Sequence, residues 1–350
     1  MNIIDYLHAY KDIPFKIERF NELDALLLSL MGYFPFDFIG KNKIEADDVT
    51  NFLRTFKPQT KSERKLTDNY VLNVLCTCER FKGIKFVDFV RKRSKEAIEQ
   101  FQAITIVLKD FIFVAFCGTD ATVLGWREDF DMSFLDIVPS EIDAIKYINE
   151  QRHKHPFKDI YIGGHSKGGR LAIRAGKEVY KKNNLQAVFS FDGPNFVDSF
   201  YDYQYDEMKS LIYEYAPHES IIGRLINDRK KIIIESNAKG LWQHDAYTWQ
   251  IEDDHFIHVD NYTTKSDKIV KVANGVFNEL DNETKSIFVN TFFDLVEKLN
   301  VEEFDDDKHA LLVVQSALSS LRIEWKNTPK EHRKVLLKVL FTIVTIAIKR

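Results

Sequence analysis

Residues 160–170 read Ile-Tyr-Ile-Gly-Gly-His-Ser-Lys-Gly-Gly-Arg, and this stretch constrains the fold more than any other in the chain. Within it, Gly164-His165-Ser166-Lys167-Gly168 has the Gly-x-Ser-x-Gly spacing that exposes a serine at a sharp turn between a strand and a helix. The flanks supply both elements. Upstream, residues 157–162 form a short β-branched and aromatic run after Pro156, the signature of a buried strand. Downstream, Leu171, Ala172, Ala175 and Val179 recur at helical spacing. Glycines on both sides let the backbone turn sharply and the helix pack close to the strand, so the Ser166 hydroxyl projects above the sheet. Lys167 opens the helix, and its backbone N–H is expected to face an oxyanion formed at Ser166. The plainer alternative is a serine that caps an ordinary helix after a glycine-rich turn.

The surrounding pattern predicts an α/β fold with a mainly parallel sheet flanked by helices, of the α/β-hydrolase kind. Residues 101–108 and 111–117 read as β-rich runs joined by Lys109-Asp110. A helix carrying Ile142, Ile145 and Ile148 follows, then the elbow strand and helix. Strands are expected at 187–192, 211–215 and 231–235, with a helix near 219–228. Residues 1–95 read as largely helical, and together with the alternating region they make one unit over 1–262. From 263 to 350 helical spacing without strand-like alternation predicts an additional C-terminal helical segment. Its last stretch, 335–348, is apolar except for Lys338 and two threonines. At about 1.5 Å per residue it spans about 21 Å, short of the roughly 30 Å hydrocarbon core. A buried or partner-packing helix is expected there, and the stretch also admits peripheral membrane contact.

Composition narrows the function classes. The 350 residues are 45% hydrophobic, ample for a packed core. With 49 basic and 53 acidic side chains the net charge is −4, so no global field draws in nucleic acid. The first ten residues lack the basic start and apolar run of a secretory signal, and a cytoplasmic protein is expected. Cys76, Cys78 and Cys117 form neither a disulfide scaffold nor a zinc site. Asp253, Asp254, His255, His258 and Asp260 cluster in sequence, yet match no metal-ligand spacing and read as a solvated acidic loop.

A serine hydroxyl needs a base, an acid to orient the base, and donors for the oxyanion. In α/β-hydrolase sheets the chain order is Ser, then Asp or Glu, then His. Glu219 follows strand 211–215 and is the first choice of acid. Asp192, at the end of strand 187–192, is the alternative acid, ranked second because Asp before Gly193-Pro194 reads as a turn former. His244, in the loop after strand 231–235, is the expected base. His165 and His218 flank the site, with His165 directed away from Ser166. The second oxyanion donor is expected at Thr119, in the turn after strand 111–117, by its backbone N–H and also its hydroxyl.

Five motifs then agree: residues 114–120 (Val-Ala-Phe-Cys-Gly-Thr-Asp), 125–130 (Gly-Trp-Arg-Glu-Asp-Phe), 163–169 (Gly-Gly-His-Ser-Lys-Gly-Gly), 191–194 (Phe-Asp-Gly-Pro) and 243–249 (Gln-His-Asp-Ala-Tyr-Thr-Trp). Together they resemble a bacterial family of α/β-hydrolases related to the class 3, fungal-type triacylglycerol lipases, over roughly residues 20–250. The resemblance implies an esterase or lipase-like serine hydrolase with Ser166 as nucleophile, His244 as base and the Thr119 loop in the oxyanion hole. Two departures stand out: Cys117 takes the place of an arginine in the lipase-like turn, and Glu219 stands where the family has Asp. The expected reaction is hydrolysis of a small-molecule or lipid ester through an acyl-enzyme, with neither metal nor cofactor required. The same triad would also serve an amidase or peptidase. A degenerate hydrolase fold used for binding or membrane interaction is the alternative from another class. Oligomeric state is not legible.

Overall fold

Eight strands make one sheet in simple chain order: β1 (Lys43–Glu45), β2 (Lys85–Ser94), β3 (Glu99–Val107), β4 (Phe111–Phe116), β5 (Asp159–His165), β6 (Leu185–Phe191), β7 (Ile212–Pro217) and β8 (Ile232–Ile234). The computed structural model describes residues 1–55, 63–120, 122–180 and 184–298. β1 to β4 pair antiparallel, and β4 to β8 pair parallel. The helices are α1 (Ile3–Tyr10), α2 (Glu22–Leu30), α3 (Ala46–Thr55), α4 (Glu63–Thr77), α5 (Val123–Asp131), α6 (Pro139–Lys154), α7 (Lys167–Val179), α8 (Tyr203–Met208), α9 (Thr264–Asn278) and α10 (Asn282–Lys298).

β4 shows why this sheet needs cover on both faces. All six of its residues are buried. Successive side chains of a strand point to opposite faces. Phe111, Phe113 and Ala115 accordingly join one core with α1 to α4, while Ile112, Val114 and Phe116 join a second with α6, α7 and α8. The expected α/β-hydrolase-like architecture is therefore present, with an antiparallel extension at one edge.

That extension adds two strands, β1 and β2, to a region read as largely helical, which also carries α1 to α4. β2 carries Lys85, Arg91, Lys92 and Arg93 among its apolar residues, so its alternation is weak in the sequence. Pairing with β3 from Lys85 to Ser94 fixes it as a strand, with a register shift between Val87 and Val90. The elbow strand also ends later than expected, at His165, immediately before Ser166.

The helix expected near 219–228 shrinks to one tight turn, Ile222–Arg224. Backbone bonds there run three residues back, from Ser220 to Pro217, Arg224 to Ile221 and Leu225 to Ile222. Ile226 then takes a φ of 75°, which stops any helix. The tertiary cause is nearby: Ser220 donates to the Asp192 carboxylate, and Gly223 lies against it.

α9 and α10 pack onto the sheet-bearing body. Asn274 of α9 donates to the Arg224 carbonyl at 2.9 Å, and Asp267 accepts from Arg224 at 2.7 Å. α10 lies against α5. The stretch 335–348 lies outside the described residues. Among the described residues no helix is long and apolar enough to cross a membrane.

Candidate active site

The residues proposed as nucleophile, base, acid and oxyanion donors stand at or beyond the carboxyl ends of parallel strands, where sheets of this kind bind ligands. Ser166 follows β5 with φ 59° and ψ −134°. A non-glycine residue in this region costs about 1–3 kcal/mol, so the surroundings must impose it. They do: the Ser166 N–H donates to the Phe191 carbonyl at 2.9 Å, and Gly169 N–H donates to the Ser166 carbonyl at 2.9 Å. Gly168 completes the elbow, since a side chain there would come within 2.9 Å of the Phe116 and Cys117 carbonyl carbons. The first turn of α7 therefore rests directly on the end of β4.

His244 and the carboxylate beside it come next. His244 Nδ1 lies 2.6 Å from Asp192 Oδ2. A carboxylate oxygen accepts, so Nδ1 carries the proton and Nε2 keeps its lone pair. Asp192 is fully buried. Its other oxygen accepts from the Ser220 hydroxyl at 2.5 Å, and its backbone N–H donates to Tyr215. Its own φ is 51°, a second left-handed residue at a strand end.

Glu219 is not the carboxylate on His244. Its Oε2 accepts from Gly240 N–H, and its backbone N–H donates to Gln243 Oε1 at 2.8 Å. It braces the loop that carries the histidine. The carboxylate beside His244 is the second-ranked Asp192. Gln243, also fully buried, and Trp249, which donates to the Gln243 carbonyl at 2.7 Å, hold the same loop.

His165 is turned away from solvent, with 2% exposure. Its Nε2 faces the His244 carbonyl at 2.7 Å, and Tyr33 Oη faces its Nδ1 at 3.0 Å. A carbonyl only accepts, so Nε2 carries a proton, and Tyr33 Oη also donates to the His165 carbonyl at 3.3 Å. The elbow thus holds the backbone of His244 directly, with the two imidazole ring centres 4.5 Å apart. His218 instead faces Gln243, at 3.2 Å through Nε2.

The Thr119 turn lies beside the elbow. A methyl at Gly118 would come within 2.7 Å of the His165 carbonyl oxygen and 3.0 Å of Ser166 Cβ, so only glycine fits. The Thr119 hydroxyl is committed elsewhere, donating to Asp129 Oδ2 at 2.6 Å. A hydroxyl has one proton to give, which leaves Thr119 its backbone N–H for a ligand at Ser166. The Lys167 side chain runs inward and is 1% exposed, with Nζ donating to the Gln100 carbonyl at 2.8 Å and to Glu128 at 3.1 Å. Burial pulls its ammonium down, but the charges of Glu128 and Asp129 outweigh this and hold it above the ordinary lysine value. Neither carboxylate, nor Ser220, was legible as part of the site from sequence.

Asp129 has a measurable consequence. Burial raises its carboxyl from 3.8 to about 6, and its Oδ1 has no hydrogen-bond partner among the described residues. A folded-state pKa above the unfolded value means the fold takes up a proton between about pH 4 and pH 6, so this group costs stability above pH 6. Asp129→Asn is expected to raise unfolding free energy at pH 7.5 by about 1–3 kcal/mol. The gain shrinks as pH falls through 6 and is gone near pH 4. Denaturant titrations of both proteins at pH 7.5 and pH 4.5 check this, and an equal difference at the two pH values would refute it.

The sequence profile of the Mbeg1-like family matches residues 75–294. No curated protein matches the chain. Among solved structures, the M37 lipase is similar at a TM-score of 0.39 and 16% identity, covering 59% of this chain and 70% of that one. Lip2 lipase from Yarrowia lipolytica gives 0.38 and 12%, covering 56% and 80%. The native propeptide complex of Rhizomucor miehei lipase gives 0.40 and 13%, covering 67% and 68%.

Proposed function

The chain belongs to the Mbeg1-like family, and from that premise we propose that it is a serine hydrolase that cleaves carboxylic esters through an acyl-enzyme. One observation carries the reading: a serine held at left-handed φ on an elbow whose neighbouring His165 holds the His244 carbonyl, with His244 Nδ1 fixed at 2.6 Å from a buried carboxylate. An orienting acid is needed to keep the imidazole in the tautomer that accepts a proton at Nε2.

In this mechanism Ser166 Oγ attacks the acyl carbon while its proton passes to His244 Nε2. Asp192 stabilises the imidazolium without taking the proton itself. Backbone N–H groups of Lys167 and Thr119 hold the tetrahedral oxyanion. Collapse expels the alcohol, protonated by His244, and water repeats the sequence to release the acid. Every step uses groups of the chain, the ester and one water. The substrate is a small-molecule or lipid ester; an amide would engage the same groups with a poorer leaving group.

The test is exposure of the full chain to a fluorophosphonate probe, followed by p-nitrophenyl esters from acetyl to palmitoyl. A single adduct at Ser166 with turnover of at least one ester is expected, and the preferred acyl length then separates esterase from lipase behaviour. No adduct and no turnover would shift the reading to a hydrolase fold used for binding.

A further inference from the structure

α5 touches the proposed oxyanion hole on one side and the C-terminal helix α10 on the other, through four consecutive residues. Glu128 is fully buried and accepts from Lys167 Nζ at 3.1 Å and Gln100 N–H at 3.0 Å through one oxygen, and from Ser140 N–H at 2.8 Å through the other. Asp129 accepts the Thr119 hydroxyl at 2.6 Å. These two carboxylates therefore hold, by side chain, the two residues whose backbone N–H groups are the proposed oxyanion donors. The neighbours face the other way. Arg127 donates to Asn290 of α10 at 2.9 Å, and the Phe130 ring meets Phe293 edge-on at 5.6 Å and Phe292 at 6.3 Å.

α5 needs that second support. Its own buried residues are Val123, Gly125 and Glu128, little apolar surface with which to seat a helix on a sheet. Phe292, Phe293 and Val296 of α10 are buried. We infer that Glu128 and Asp129 are positioning residues for the oxyanion donors, and that α10 sets their position by fixing α5. This inference rests on the hydrolase reading above. It assigns the C-terminal helices a part in the chemistry although none of their residues is placed beside Ser166.

Displacing a donor by about 1 Å costs up to about 100-fold in rate, while ground-state binding changes little. The experiment compares the full chain with Asp129→Ala, Asp129→Asn and Phe293→Ala in ester hydrolysis, with melting curves recorded alongside. Asp129→Ala is expected to lower kcat about 10- to 100-fold with KM within about twofold, and Asp129→Asn, which keeps the acceptor for Thr119, to recover most of it. Phe293→Ala should lower kcat about 10-fold at unchanged KM. Affinity for a trifluoromethyl ketone, which forms the tetrahedral oxyanion, should fall in parallel with kcat. Should Phe293→Ala not fold, Asn290→Ala, exposed on α10, serves in its place with the same direction of effect. Full kcat in Asp129→Ala, or in a folded α10 variant, overturns the inference. If the unaltered chain neither turns over an ester nor takes up fluorophosphonate, the hydrolase reading itself has failed, and that result is separate from any difference among variants.

Discussion

Ser166→Ala lowers kcat for the best p-nitrophenyl ester by roughly a million-fold, a loss of the size seen when a serine nucleophile is removed. The fold does not suffer. Ser166 is held at φ 59° by backbone bonds to Phe191 and Gly169, and alanine keeps both. A serine and an alanine bear the same strain, so the melting temperature is expected to stay within a few degrees. The residual rate, still about a thousand-fold above water, comes from the oxyanion donors and ester binding. Steady-state kinetics with a melting curve checks both halves; an alanine variant that turns over within tenfold of the original would remove Ser166 from the chemistry.

The second large effect separates two carboxylates that sequence had ranked the other way. Asp192→Asn is expected to cost about 10⁴-fold in kcat, because an amide nitrogen facing Nδ1 favours the tautomer with the proton on Nε2, which cannot act as base. The Ser220 hydroxyl would still have an acceptor at the amide oxygen, so the loop over Asp192 keeps its main tie. Glu219→Gln, in contrast, retains an acceptor for Gly240 N–H and should change kcat by no more than about threefold. Parallel kinetics on the two single variants decide the matter. Equal losses, or a larger loss at Glu219, would return the acid to the first-ranked residue.

The reason for that reversed ranking is instructive. The elbow was readable because its geometry is written into five adjacent residues, each with a local steric duty. The carboxylate partner of His244 is written nowhere locally. Asp192 and His244 meet across 52 residues through the ordering of β6 beside β7, and Asp-Gly-Pro on its own looks like any turn. The φ of 51° that aims Asp192 is equally silent in the sequence. Glu219 gained its rank from its place after strand 211–215 in the expected chain order, while the contacts of Ser220 and Gly223 with Asp192 shape the loop beyond it. β2 was hidden for another reason: a strand near a sheet edge keeps enough charge to mask its alternation, and only pairing with β3 reveals it. Buried pairs such as Lys167 with Glu128 leave no mark in the pattern, since each residue alone reads as surface charge.

The two cores differ in how much chain each one needs. The buried members of the core under α6 and α7 lie between Phe101 and Met208, whereas those of the opposite core run from Ile3 to Phe256. During synthesis the first can close once Met208 has emerged, which already includes the strand and helix on either side of Ser166. The second waits for Trp249 and Phe256, close behind His244. Local closure precedes long-range closure on entropic grounds. A growing chain is thus expected to form the elbow around Ser166 before His244 arrives, so that the two meet only when the sheet-bearing body is nearly finished.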